Sequence, residues 1–338
     1  MAQEAVIIDS EIKNQTRTLK EITGSVQEHL EQFRIFFKKE ISSDVLLLDQ
    51  IIKYLLRQKG KEIRPTIVFM TSRLFGDVGK RSYVAATMIE LLHTATLIHD
   101  DVVDEADLRR GFLSINKLWK NKAGVLLGDF LLSKGLLVAL EHKEYQLLHV
   151  LSDAVRLMSE GELRQLKTSK LYNMTEERYY QIISEKTASL ISACCRCGTI
   201  AATDDEEVIK KMGEIGLNIG IAFQIKDDLF DYGIDDVGKP TRNDIQERKV
   251  TLPLIKALEK ATAGERISIR SRMKKRKKTS ADVETIVNFV HEKNGLHAAE
   301  TAMNEYAEKA VAELRKLPVV NGLDDFEELI TFIITRKK

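Results

Sequence analysis

The stretch Ile89-Glu90-Leu91-Leu92-His93-Thr94-Ala95-Thr96-Leu97-Ile98-His99-Asp100-Asp101-Val102-Val103-Asp104 decides how this chain is read. Its apolar residues recur at three- and four-residue intervals, the period of a helix and not the alternation of a strand. The helix runs straight into an Asp-Asp-x-x-Asp motif. Residues four apart lie on one helical face about a turn from each other, so Asp100 and Asp104 present carboxylates to a common ion, with His93 two turns back. Asp101 falls off that face.

A second copy follows 127 positions later, where Phe223-Gln224-Ile225-Lys226 leads into Asp227-Asp228-Leu229-Phe230-Asp231. The same geometry puts Gln224, Asp227 and Asp231 on a shared face, with Asp228 off it. Unpaired carboxylates facing one another across a helical core repel and resist desolvation, so the two motifs make physical sense only with cations between them. Magnesium suits such a site, because it takes one or two carboxylates and completes its octahedron with water and phosphate oxygens. A lone acidic cluster would read as a solvated helix face. Two clusters of identical spacing, each behind an apolar helix, argue against that.

The rest of the chain agrees with a helical architecture. Only four prolines and 18 glycines punctuate 338 residues, too few for a protein built on frequent tight turns. Helical periodicity covers Ile41 to Leu56, Thr66 to Phe75, Ser82 to Ile98, Ala123 to Leu140, Tyr145 to Leu166, Glu176 to Ala202 and Glu207 to Phe230. Strand-like alternation is absent, so no sheet is expected. Breaks fall at Lys59-Gly60, Phe75-Gly76-Asp77, Gly111, Thr203-Asp204-Asp205 and Tyr232 to Thr241, and none resembles a flexible linker. The expected fold is all-α, a single large helical bundle over residues 1–338 around a central cavity.

Lys plus Arg is 52 and Asp plus Glu is 51, which leaves no global field to hold a nucleic acid or an anionic membrane. No run reaches the roughly 20 apolar residues that span a bilayer, so no transmembrane segment is expected. The N-terminus has neither a secretory nor a transit-peptide pattern, and a cytoplasmic location is expected. Cys194, Cys195 and Cys197 read as small residues of a buried helix. The run Lys274-Lys275-Arg276-Lys277-Lys278 reads as a solvated helix end or loop more readily than as a nucleic-acid or membrane patch, and Arg336-Lys337-Lys338 as a solvated tail or, less readily, a segment that closes over the site.

Cations suited to phosphate oxygens recur near both motifs: Arg109-Arg110-Gly111 after the first, Lys239 and Lys249 after the second, and Lys61 with Arg64 opening an earlier helix. Arg offers a planar fork and Lys a point charge to such oxygens. With Gly128-Asp129, Lys186-Thr187-Ala188 and the residues quoted above, the chain resembles the trans-type polyprenyl diphosphate synthases, most strongly over residues 59–258.

That resemblance implies a prenyltransferase using magnesium, three ions per site, on Asp100, Asp104, Asp227 and Asp231. It implies that Arg109, Lys186, Lys239 and Lys249 hold an allylic diphosphate (geranyl, farnesyl or geranylgeranyl), with Thr187 and Gln224 beside the reacting carbons. Isopentenyl diphosphate falls to Lys61, Arg64, His93 and Arg110. The allylic C–O bond ionises, the second substrate attacks head to tail, and a proton is lost, with the released pyrophosphate as its acceptor. Ala95 and Thr96 lie five and four positions before Asp100, where an aromatic would floor the cavity. Both are small, which implies a long product of about C30 to C45, of the kind used for quinone side chains, with Leu91, Leu92 or the Gly128 to Leu140 helix as deeper floors. A homodimer is the family expectation. The alternatives are a short-chain synthase and a non-catalytic subunit of a heteromeric one.

Overall fold

The computed structural model describes residues 18–58, 60–109, 111–171, 174–233 and 242–336. Lys59, Arg110, Lys239 and Lys337-Lys338 lie outside them. In chain order, α1 (Gln27–Glu40) buries Leu30, Phe33 and Phe37, and α2 (Leu46–Arg57) buries Ile51 and Ile52, one apolar stripe each. The next two, α3 (Ile63–Phe75) and α4 (Lys80–Val103), are buried around most of their circumference, as helices at the centre of a bundle must be. After them α5 (Ile115–Glu141) starts at Ser114, whose hydroxyl accepts the Lys117 N–H, and loses helical geometry at Lys120, where φ is 71°.

Beyond α6 (Tyr145–Leu171), α7 (Glu176–Ile183) passes without interruption into a π-helical turn, Ser184–Ala188, and then α8 (Ser189–Ile200). Asp205 caps α9 (Glu206–Phe230) by accepting the N–H groups of Glu207 and Val208, so the acidic break read at that point is a helix start. The chain continues through α10 (Leu252–Glu259), α11 (Ala263–Lys274), α12 (Ser280–Glu292), α13 (Gly295–Leu314) and α14 (Leu323–Thr335).

Helix α8 sits among α3, α6 and α9, α4 packs along α5, and α9 lies against α13 with α14 across both. One apolar core joins these helices. A smaller one, built on Tyr232, Ile245, Met273, Ile286 and Phe289, holds α10 to α12 together. The three cysteines are buried in α8, and desolvation pushes the Cys195 and Cys197 thiols up to about 12.

Several expectations need correction. Ile41 belongs to the end of α1, fully buried, and the following helix begins at Leu46. A minimal antiparallel hairpin pairs Leu108 with Leu113 and Arg109 with Phe112, where no sheet was expected; Gly111, at φ 80°, makes its turn. The basic run is not wholly solvated: Lys278 is buried, donating to the carbonyls of Gln246 and Lys275, and Lys275 pairs with Asp282. Helix α5 is long and apolar enough to cross a membrane, with 33% of its most apolar window buried. Asp129 and Lys134 interrupt its apolar run, so no uninterrupted apolar stretch of bilayer length occurs in it.

Asp282 tests the second core. Both its oxygens accept from Lys275 Nζ, at 2.7 and 2.9 Å, and it takes the Thr279 N–H and hydroxyl, so Lys275 first and the Thr279 cap second hold its carboxyl down at about 2. A depressed carboxylate contributes stability above its unfolded value and loses it as pH falls through the folded one. Asp282→Asn should therefore melt below the parent protein at pH 7 by circular dichroism, with the gap closing as the buffer is taken from about pH 4 down through 2.

Candidate active site

The two Asp motifs close two long helices, α4 and α9, and each motif divides in the same way. Asp100 opens onto solvent at the end of α4 and Asp104 is exposed as its C-cap. Asp101, one residue round the helix, is buried and accepts from Arg109 Nε at 2.9 Å and from Arg109 Nη2. On α9, Asp227 is partly open, whereas Asp228 is buried. The third position breaks the symmetry: Asp231 is buried and accepts the backbone N–H of Asp244 at 2.6 Å, which ties the following segment to the end of α9. It does not share an open face with Asp227 and Gln224.

The electrostatics mark the open carboxylates as a place for cations. Desolvation raises the Asp100 carboxyl above its ordinary value, and Glu162 and Asp104 raise it further, against Lys186 and Arg109. Asp227 is likewise raised by desolvation, against Arg336 and Lys61. Among the described residues no three His, Cys, Asp or Glu side chains converge tightly enough to enclose an ion. The open carboxylates of Asp100, Asp104 and Asp227 are hard oxygen donors of the kind that would fit a cation such as magnesium, which takes one or two carboxylates beside water and phosphate oxygens.

Between α6 and α9 stands the π turn. A Cβ placed on Gly161 of α6 would lie 2.8 Å from Lys186 N, and one on Gly220 of α9 would lie 2.5 Å from the Cα of Ala188. Only glycine lets both helices approach that backbone so closely. The extra residue of the π turn aims Lys186 and Thr187 inward. Lys186 pairs with Glu162 and approaches Gln165 at 3.5 Å, while the Thr187 hydroxyl donates to Gln224 Oε1 at 2.8 Å. Gln224 Nε2 donates in turn to Asp228 Oδ1 at 2.8 Å, and the Tyr179 hydroxyl donates to Asp228 Oδ2 at 2.6 Å.

A cavity of about 230 Å³ brings Lys186, Thr187, Gln224, Asp244 and Lys249 together. Burial works against the charge on Lys249, but Glu247 at 2.7 Å and Asp244 at 3.4 Å outweigh it and keep the ammonium protonated. His93 and Arg109 instead line a separate cavity of about 390 Å³ with Glu90 and Asp101. Lys61 and Arg64 are not in its lining; Lys61 acts on Asp227, and Arg64 lies near Cys194. His93 lies in that lining beside Glu90, Arg64 and Glu90 both act on Cys194, and Arg110 and Lys239 fall outside the described residues.

Sequence reasoning missed Glu162, Gln165, Tyr179, Asp244 and Arg336. Glu162 and Gln165 sit one turn apart behind Gly161, a spacing visible in the sequence; the others have no local signal. The solvated tail is a misreading at Arg336: its side chain is 6% exposed, paired with Asp227, and stacked 3.9 Å from the Phe223 ring centroid.

The chain's resemblances bear on these side chains. Residues 45–290 match the polyprenyl synthetase family. The chain belongs to this family. It is 36% identical over 282 residues to the octaprenyl diphosphate synthase of Escherichia coli, covering 83% of this chain and 87% of that one. It is 33% identical to the geranylgeranyl diphosphate synthase of Saccharolobus solfataricus, covering 90% and 95%. The crystal structure of a polyprenyl synthase from Caulobacter crescentus, complexed with calcium and isoprenyl diphosphate, superposes with a TM-score of 0.87 at 30% identity over 96% of this chain and all of that one. The polyprenyl synthase described here is a prenyltransferase with an all-α fold.

The close approach at Gly220 should show in the kinetics. Gly220→Ala forces the π turn off α9, and a misplacement of about an ångström at a catalytic group lowers kcat by roughly a hundredfold. The variant should also melt lower, by about 1–3 kcal/mol of overpacking. Steady-state kinetics beside thermal denaturation measure the two effects.

Proposed function

We propose that the enzyme elongates an allylic diphosphate with isopentenyl diphosphate to an all-trans product of about C30 to C45, used for a quinone side chain. The apolar cavity beneath the first motif carries this reading. It has a volume of about 260 Å³ and lies among Met88 and Leu92 of α4, Leu132 and Leu136 of α5, and Leu148 and Leu151 of α6. Met88 sits eight residues before Thr96, roughly 12 Å farther along the helix. Ala95 is fully buried and small, and Leu92, not Leu91, is the deeper residue that lines the cavity.

Asp100, Asp104 and Asp227 would hold magnesium, which would supply positive charge beside a departing pyrophosphate. Lys186 and Lys249 hold the same diphosphate from the π turn and from the segment after α9. The Thr187 and Gln224 oxygens lie beside the electron-poor allylic carbon, and the apolar walls of α4 to α6 exclude water and receive the tail. The departing pyrophosphate takes the proton.

Chromatography of the products from isopentenyl and farnesyl diphosphates tests the assignment. A sole C15 or C20 product would end the long-chain reading. Ala95→Phe should shorten the product and Met88→Ala should lengthen it.

The homodimer is read from α5. Leu126, Leu137 and Leu140 form a stripe on its exposed side, each about half open to solvent. Asp129, 62% exposed, follows Leu126 by about one turn, which suits an interface with another copy of the chain better than hydrocarbon. Sedimentation should find dimers in the parent protein and monomers in Leu126→Glu/Leu137→Glu; an unchanged sedimentation coefficient would remove the stripe from the interface.

A further inference from the structure

We infer that Tyr179 is a positioning residue for the reaction, acting on Thr187 through Asp228 and Gln224. Tyr179 lies on α7, 3% exposed, about two turns before Lys186 and outside both acidic motifs. Its phenol is pushed well above the ordinary value by burial and then by Asp228, so it remains a donor.

The relay has one consistent set of directions. A carboxylate only accepts, so with the Tyr179 hydroxyl on Asp228 Oδ2 the other oxygen is left for the amide N–H of Gln224. That turns the amide oxygen of Gln224 toward Thr187, whose hydroxyl proton is then committed to it at 2.8 Å. The lone pairs of Thr187 face the cavity it shares with Lys186 and Lys249. An electron-poor carbon in that cavity is stabilised by lone pairs and repelled by a hydroxyl proton.

Without the Tyr179 hydroxyl, Asp228 Oδ2 is a buried acceptor with no donor from α7, and the carboxylate is free to rotate. Gln224 then loses the contact that fixes its amide, and the Thr187 proton is no longer held away from the cavity. All four groups are inside the protein or on its cavity wall, so water does not supply the missing contact at no cost.

This inference rests on the placement of Thr187 beside the reacting carbon, and the test separates the two. Tyr179→Phe keeps the ring, and circular dichroism checks its fold. Its kcat should fall roughly tenfold or more, with KM for both diphosphates within about twofold, and Tyr179→Phe/Thr187→Val should be no slower than Thr187→Val alone. A purely structural role for Tyr179 would instead multiply the two losses, and that result overturns the relay. So does parental kcat in Tyr179→Phe beside a slow Thr187→Val. Parental kcat in Thr187→Val overturns both the relay and the placement it rests on.

Discussion

The site depends on one close approach of backbones. The π turn Ser184–Ala188 is clasped by Gly161 of α6 on one side and Gly220 of α9 on the other. A methyl group on either glycine would meet main-chain atoms, which cannot swing aside as a side-chain end can. Because Glu162 follows Gly161 and Gln224 lies one turn beyond Gly220, the clasp also sets the partners of Lys186 and Thr187. The geometry of the polar groups is thus inherited from helix packing.

Charge is managed by the same division in both motifs. The second Asp of each string turns inward and finds its own partners, Arg109 for Asp101, and Tyr179 with Gln224 for Asp228. The first remains toward the open side. Burial works to raise the Asp228 carboxyl, and the hydrogen bonds from Tyr179 and Gln224 oppose it by favouring the ionised form. Arg336 adds a third arrangement, a buried guanidinium that joins α14 to Asp227 and to the aromatic rings of α9.

Much of this was legible in the residue order. The 3.6-residue period gave the helices, and the four-residue spacing separated Asp100 and Asp104 from Asp101, because both depend only on geometry along one helix. The same logic did not anticipate that Asp231 accepts the backbone N–H of Asp244, 13 positions on, or that Gln224 donates to Asp228. Nor did it anticipate Arg336, 109 positions from the aspartate it meets. Contacts between elements leave no periodic trace, so Tyr179, Asp244 and Arg336 could be found only from packing.

The reading of Glu176 to Ala202 as one uninterrupted helical pattern conceals a change of phase. A π turn inserts one residue, about 100° of rotation, between α7 and α8 while keeping the axis continuous. The face of α7 that carries Tyr179 and the face of α8 that carries the cysteines are therefore set independently, each for its own neighbour. Removing a single residue from Ser184–Ala188 would restore a regular helix and put the two faces out of step, with every side chain unchanged in kind and Lys186 aimed elsewhere.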